Sequence, residues 1–339
     1  MILLDATYVN VGGGAALLRR LLGELRGRAE ATVLRDIRMT DLDTTGFKVV
    51  DMPPSHWARR RFYRRHGASF SRVLCVGNVP PLRRLPVPTA TYFHNLLFCE
   101  EYPGESTRER WLMRLKMAYI RHYAGNSDVF LVQSENMVRA LRAQLGPRAP
   151  VAVLPFLALP PSAEAAATER RWDRFAYVSE AHPHKNHVVL LRAWELLLAR
   201  GLRPGLHLTV TAAYPAVLSE VERLRRAGAD IINHGFADPA PIYGLCGYQL
   251  YPSLVESFGL GLIEAASAGC AVVAADRPYV RAVVEPHGVF DPLSAEAIAE
   301  AVALRMGQPA AASVGKVRDH LMDLLAWLAK GTPLKEEVA

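Results

Sequence analysis

The sequence predicts an α/β protein built from two parallel-sheet domains. Three observations carry this. Strand-like apolar runs alternate with amphipathic helical patterns, the series breaks near residues 155–172 and starts again, and 339 residues is about twice a usual domain length. Two Rossmann-like domains joined by a linker follow, with parallel sheets facing across a cleft that is the default ligand site. The expected boundaries are 1–155 and 173–312, with a closing helix over 313–330.

Each element has its own signal. Residues 1–6 read as a short buried strand, and Gly12, Gly13 and Gly14 as a tight turn after it. A helix over about 15–26 puts Leu17, Leu18, Leu21, Leu22 and Leu25 on one face. Apolar runs at 31–34, 72–76, 89–93, 129–132 and 151–154 predict further strands, and helical periodicity marks 108–123 and 135–145. Residues 155–172 turn to Pro and Ala and predict a linker. The second series has strands at 174–178, 207–212, 231–233, 248–251 and 271–275. Its helices fall at 188–200, 216–227, 260–268, 295–305 and 314–330, and the tail after Gly331 is expected to fray.

Composition narrows the function. Half the residues are hydrophobic and 22% charged, which excludes a disordered chain. No apolar run reaches 18 residues, so no spanning helix is expected, and the start carries Asp5 and no basic segment, unlike a signal peptide. Cys75, Cys99, Cys246 and Cys270 are widely spaced and form no CxxC pair, which fits a reducing cytoplasm. The net charge of +7 divides into +10 for residues 1–155 and −3 for the rest, so the basic character belongs to the first half. Its densest pieces are Trp57 to His66, with Arg59, Arg60, Arg61, Arg64 and Arg65, and Arg108 to Arg121, with Trp111, Leu112, Leu115 and Tyr119 interleaved. Such stretches suit an anionic membrane surface or a phosphate-bearing partner. A solvated helix face is the plainer alternative, and nucleic acid answers to the same charge.

The most informative stretch runs from Tyr251 to Asp276. A strand ends at Tyr251, a loop carries Ser253 and Glu256, and a helix opens at Gly259-Leu260-Gly261. Glycines let backbone amides approach a ligand, and a helix N-terminus favours an anion such as a diphosphate. Glu256 and Glu264 flank that position, and carboxylates accept hydrogen bonds from vicinal sugar hydroxyls. The pattern describes a nucleotide-sugar site.

This string resembles the E-x7-E signature of GT-B glycosyltransferases, in particular family 4, the "group 1" retaining enzymes. The match spans about twenty-five positions in the form PS-x-x-E-x-FG-L-x-x-x-E-A-x-x-x-G-x-x-V-V-A. The resemblance implies a GT-B fold whose C-terminal helix returns towards the first domain. It implies that Glu256 contacts the transferred sugar, that backbone amides near Phe258, Gly259 and Leu260 reach sugar and phosphate, and that Glu264 holds the donor ribose. Gly13 and Gly14 are expected to face the donor phosphate from the first domain. Lys185, in Ala181-His-Pro-His184-Lys185-Asn186-His187, corresponds to the family's phosphate-binding lysine, although Ser179 and Glu180 stand where an Arg is often found. His94 matches the histidine beside the reacting sugar, and Gly235-Phe236 the loop that approaches the nucleobase. The plain reading of Ser134 is a helix N-cap, and of Asn186 a cap as well.

The resemblance implies transfer of a hexose from a nucleotide-diphosphate sugar to a saccharide acceptor, with retention and without a cofactor. Glu256, His94 and Lys185 are the expected catalytic set. No metal site is expected: Asp41-Leu-Asp43 reads as a turn, and the three histidines at 182, 184 and 187 lack fixed ligand spacing. The +10 first half suggests a lipid-diphosphate-linked acceptor and a peripheral position on the inner leaflet of the cytoplasmic membrane, in surface-polysaccharide assembly such as O-antigen or capsule. Rival readings are another GT-B enzyme, such as a sugar-nucleotide epimerase, or a non-catalytic basic binding protein. The latter has no use for two glutamates at an anion site.

Overall fold

The computed structural model describes residues 1–156 and 170–332, so most of the expected linker and the end of the tail lie outside the described residues. The chain forms two compact units: Met1–Glu100, Thr107–Ala158 and Arg318–Ala339 in the first, and Glu101–Ser106 and Leu159–Val317 in the second.

The first unit runs β1 (Ile2–Ala6), α1 (Gly12–Leu25), β2 (Ala31–Asp36), β3 (Lys48–Met52), α2 (His56–His66), β4 (Val73–Cys75), β5 (Thr89–Tyr92), α3 (Thr107–Tyr123), β6 (Val129–Val132), α4 (Glu135–Leu145) and β7 (Val151–Val153). All seven strands are parallel, in the order β3-β2-β1-β4-β5-β6-β7. Helices must therefore carry the crossovers, and the strands are buried on both faces. The Leu17, Leu18, Leu21, Leu22 and Leu25 face of α1 packs on one side of the sheet. Ser134 caps α4 by accepting from the Met137 N–H.

The second unit runs β8 (Arg171–Tyr177), α5 (His187–Ala199), β9 (Gly205–Leu208), α6 (Pro215–Arg226), β10 (Ile231–Asn233), α7 (Pro239–Leu245), β11 (Cys246–Tyr251), α8 (Leu260–Ser267), β12 (Ala271–Ala275), α9 (Pro278–Val283), β13 (Val284–Glu285), β14 (Gly288–Phe290), α10 (Ala295–Ala303) and β15 (Val314–Gly315). Its main sheet is parallel with order β10-β9-β8-β11-β12-β14.

The last helix, α11 (Leu321–Lys330), belongs to the first unit. Leu321, Leu324, Leu325, Trp327 and Leu328 join the core that holds α1, and the His320 N–H donates to Pro155 O at 2.8 Å. The helix expected from 314 thus starts at Leu321. Val314–Gly315 instead pairs antiparallel with β13 in the second unit. Among the described residues no helix is long and apolar enough to cross a membrane.

Candidate active site

In each main sheet the strand order reverses once, between β1 and β4 and between β8 and β11. Loops from such neighbours diverge at the C-terminal strand ends and leave a crevice. The residues singled out from the sequence fall largely on those loops.

In the second unit, Lys185 ends a 3-10 turn, Pro183–Lys185, after β8, and Glu256 lies on the loop after β11. The Leu254 N–H donates to His184 O at 2.8 Å and ties the loops together. Asn186 adopts left-handed backbone (φ 64°), and its side chain does not cap α5. Its Nδ2 instead donates to Pro252 O at 3.1 Å and Pro292 O at 2.7 Å, so the capping expectation gives way to a loop clamp.

This frame brings Lys185 Nζ to 2.5 Å from Glu256 Oε1. Tyr251 Oη donates to the same oxygen at 3.0 Å. Tyr177 Oη donates to Lys185 O at 2.8 Å and lies 2.9 Å from Ser253 Oγ, while Tyr279 Oη donates to Ser253 O at 2.7 Å. Burial alone pushes the Glu256 carboxyl up. The Lys185 ammonium and hydrogen bonds from Lys185 and Ser253 outweigh it and hold Glu256 below the usual carboxylate range.

Glu264, on the second turn of α8, is set differently. Burial, and then the nearby Asp238 carboxylate, push it up to about 7. Among the described residues nothing donates to its carboxylate. Two glutamates eight residues apart therefore differ: one is ionised and held, the other is unbonded and titrates near neutrality.

The glycines between them have distinct reasons. Gly259 has φ 78°, which strains any other residue. A Cβ on Gly261 would lie 3.2 Å from the Tyr251 ring and 3.4 Å from Tyr243 Oη. Helix α8 starts without a side-chain cap, and although the Leu262 N–H donates to Gly259 O at 2.9 Å, the Leu260 and Gly261 amides remain for a ligand or water. The Phe258 ring is buried, leaving only its backbone for a ligand. On the loop after β10, Gly235 is left-handed and the Phe236 ring is 96% exposed.

The rings of His182 and His184 stack with centroids 5.7 Å apart, while His187 is buried away from solvent. His182 meets Glu180 and Tyr214, His184 packs on Tyr102, and His187 is buried against Tyr177. Asp41 and Asp43 pair with Arg19 and Arg26 on the surface.

Residues 173–306 match the family model described as glycosyl transferases, group 1. The second unit carries a glycosyltransferase domain. The chain is on that ground an enzyme of the glycosyltransferase class. Solved structures agree on the fold. Sucrose-phosphate synthase from Thermosynechococcus elongatus is 17% identical, over 97% of this chain and 91% of that one, with a TM-score of 0.67. HepE of Anabaena, solved with UDP and glucose, is 15% identical over 96% and 95%, TM-score 0.62. The lipopolysaccharide outer core galactosyltransferase WaaB is 15% identical over 91% and 89%, TM-score 0.60. No curated protein sequence matches the chain significantly. The glycosyltransferase has the GT-B architecture of two parallel-sheet Rossmann-like domains.

In the first unit, the loops after β1, β4 and β5 open a cavity of about 540 Å³, closed on one side by α3. His94 lies in its wall. The His94 N–H donates to Asn78 Oδ1 at 2.7 Å, and Asn78 itself is left-handed at φ 67°. Burial pushes the imidazole down to about 4, so it is neutral at pH 7. Gly12–Gly14 form the first turn of α1 rather than a separate turn, and α1 too lacks a side-chain cap. A Cβ on Gly14 would sit 2.7 Å from His94 Nε2, so this glycine makes room for the histidine. Nothing lies within 4 Å of a Cβ on Gly13.

The basic stretch of α2 divides. Arg59, expected on the surface, is 1% exposed. Its Nε donates to Asp5 Oδ2 at 2.6 Å, and its other nitrogens reach Pro80 O and Val79 O at 2.7 Å each. Tyr63 and Thr7 also donate to Asp5. Arg60, Arg61, Arg64 and Arg65 remain on the surface and, with the exposed Trp57, line an open groove. Asn78 and Tyr8 carried no sequence signal, and Tyr119 was marked only as part of a basic stretch, because two separate loops and a helix bring the three together.

Proposed function

We propose that the protein is a retaining glycosyltransferase that moves a hexose from a nucleotide-diphosphate sugar to a saccharide acceptor. The Lys185–Glu256 pair beside the uncapped α8, with Glu264 one turn further on, carries this reading. The donor diphosphate lies on Lys185 and the amides of Gly259, Leu260 and Gly261. It draws Lys185 off Glu256 and frees that carboxylate for sugar hydroxyls. Glu264 accepts from the ribose diol.

In the transfer, the bond from the sugar C1 to the diphosphate oxygen breaks and a bond from C1 to the acceptor oxygen forms on the same face. The acceptor proton passes to the leaving diphosphate. Lys185 and the helix dipole stabilise the charge that develops there, with no divalent metal. Glu256 positions the donor and does not attack it. His94, neutral and in the cavity of the first unit, faces the acceptor.

The acceptor is lipid-linked through phosphate, and the enzyme works peripherally on an anionic leaflet in bacterial surface-polysaccharide assembly. Support comes from the groove of Arg60, Arg61, Arg64 and Arg65 beside Trp57, for which no carboxylate partner is found among the described residues. A thermal-shift panel of UDP-, GDP- and dTDP-sugars tests the donor reading, since a ligand of the native state raises the melting temperature. At least one should stabilise the protein. Stabilisation by none of them removes the donor site.

A further inference from the structure

Helix α3 gives the cavity of the first unit one of its walls, through Leu115, Lys116, Tyr119 and Ile120. Residues four apart share a helix face, so Trp111 and Leu112 lie one turn beyond Leu115 and Lys116 on the same side. Trp111 is 63% exposed, Leu112 43% and Leu115 46%. An apolar strip of about 12 Å thus leads out of the cavity along the helix, from Tyr119 to Trp111. Exposed large apolar side chains in continuous array mark a binding surface rather than ordinary surface scatter.

The charge at the inner end is specific. Lys116 is the one cation among the residues lining the cavity, and no carboxylate is among them. Its Nζ stands 5.7 Å from the Phe98 ring centroid, and no acid pairs with it among the described residues. The remaining polar groups, Asn78, Asn95, His94 and the Tyr8 and Tyr119 hydroxyls, are neutral hydrogen-bonding groups suited to sugar hydroxyls.

We infer that the cavity and this strip form one site for a single anionic amphiphile, a phosphate-bearing lipid. The polar head enters among Asn78, His94 and Tyr119, the phosphate meets Lys116, and the apolar chain leaves over Leu115 to Leu112 and Trp111. This rests on the lipid-linked acceptor proposed above and assigns that acceptor a place and a length-dependent grip.

The test uses butyl, octyl and dodecyl phosphate below their micelle concentrations, with dodecyl glucoside and inorganic phosphate as comparisons. Binding to the full chain is measured by calorimetry. Affinity should rise with chain length, by about fourfold per CH₂ where the chain is fully covered and roughly twofold along the open strip. A Trp111→Gln, Leu112→Gln, Leu115→Gln variant should lose that dependence. Its melting temperature should be unchanged, because all three side chains are exposed. Lys116→Met should keep the chain-length dependence and lose about tenfold in preference for dodecyl phosphate over dodecyl glucoside. Three outcomes each overturn the site: wild-type binding independent of chain length, an unchanged slope in the triple variant, or an unchanged preference in the Lys116 variant. A variant that loses only vesicle binding, with no grip on monomeric amphiphiles in wild type, makes the strip a membrane-contacting face and also overturns it. Nucleotide-sugar binding, read on the same samples, separates this failure from failure of the donor site.

Discussion

Lys185 Nζ and Glu256 Oε1 stand 2.5 Å apart although their strands, β8 and β11, are separated by more than sixty residues of chain. The pair exists because those strands are neighbours where the sheet order reverses. The Lys185 ammonium holds Glu256 ionised inside a ring of tyrosines, and an incoming diphosphate competes for the lysine.

Glu256→Gln should therefore cut transfer by two or more orders of magnitude while the protein still folds. The carboxylate is held below its usual range, so its contribution to stability is present above about pH 4.5 and disappears as pH falls through the lower folded value. Denaturant melts of wild type and variant should converge in acid and differ at neutral pH. A variant with near-normal transfer would place Glu256 outside the site.

Glu264 gives the opposite pH signature. Its pKa rises on folding, from the ordinary 4.5 to about 7, so its favourable contribution is intact below 4.5 and is lost as pH rises through 7. Glu264→Gln should then stabilise the ligand-free protein at pH 8, by on the order of 3 kcal/mol at most, and hardly change it at pH 4. The same substitution should weaken nucleotide binding. Equal melting curves for the two proteins across pH 4–8 would contradict the buried, unbonded carboxylate.

Arg59 and Asp5 are a buried pair, each about 1% exposed at the side chain. Arg59→Met should cost about 3–5 kcal/mol, because it leaves the Asp5 charge uncompensated in the core. A chemical denaturation series reads this directly, and a loss under 1 kcal/mol would argue against it.

Arg60, Arg61, Arg64 and Arg65 are the set to change when testing the membrane. Replacing these four with Gln, and leaving Arg59, should lower partition onto anionic vesicles by roughly 10- to 1000-fold at low salt, with less effect at high salt. Nucleotide affinity should not move. Wild type that fails to sediment with anionic vesicles even at low salt would end the peripheral reading.

The sheets were legible because parallel strands buried on both faces must be continuous apolar runs, as in Ala271–Ala275. Helix α2 was not, since its inward face carries Arg59 and Tyr63 in place of an apolar stripe. The edge strand β3, with its half-exposed pattern, and the seven- and six-residue helices α7 and α9 were too short to leave a periodic signal. In the site, Glu256 and Glu264 stood out because carboxylates around a glycine-bounded helix start are chemically conspicuous, whereas Lys185 stood out through its place in the family resemblance. That Lys185 and Glu256 would pair, and that Asn186 would clamp a loop rather than cap a helix, depends on strand order, which no local pattern encodes.

The most direct measurement is calorimetric binding of UDP, GDP and dTDP, each beside its nucleoside, to wild type and to Lys185→Ala. Wild type should bind at least one diphosphate, with EDTA present. The variant should lose about tenfold or more for that diphosphate and little for the nucleoside, because only the former loses a charge-assisted contact. Equal losses for both ligands, or binding that requires a divalent metal, would contradict a metal-free diphosphate site built on Lys185.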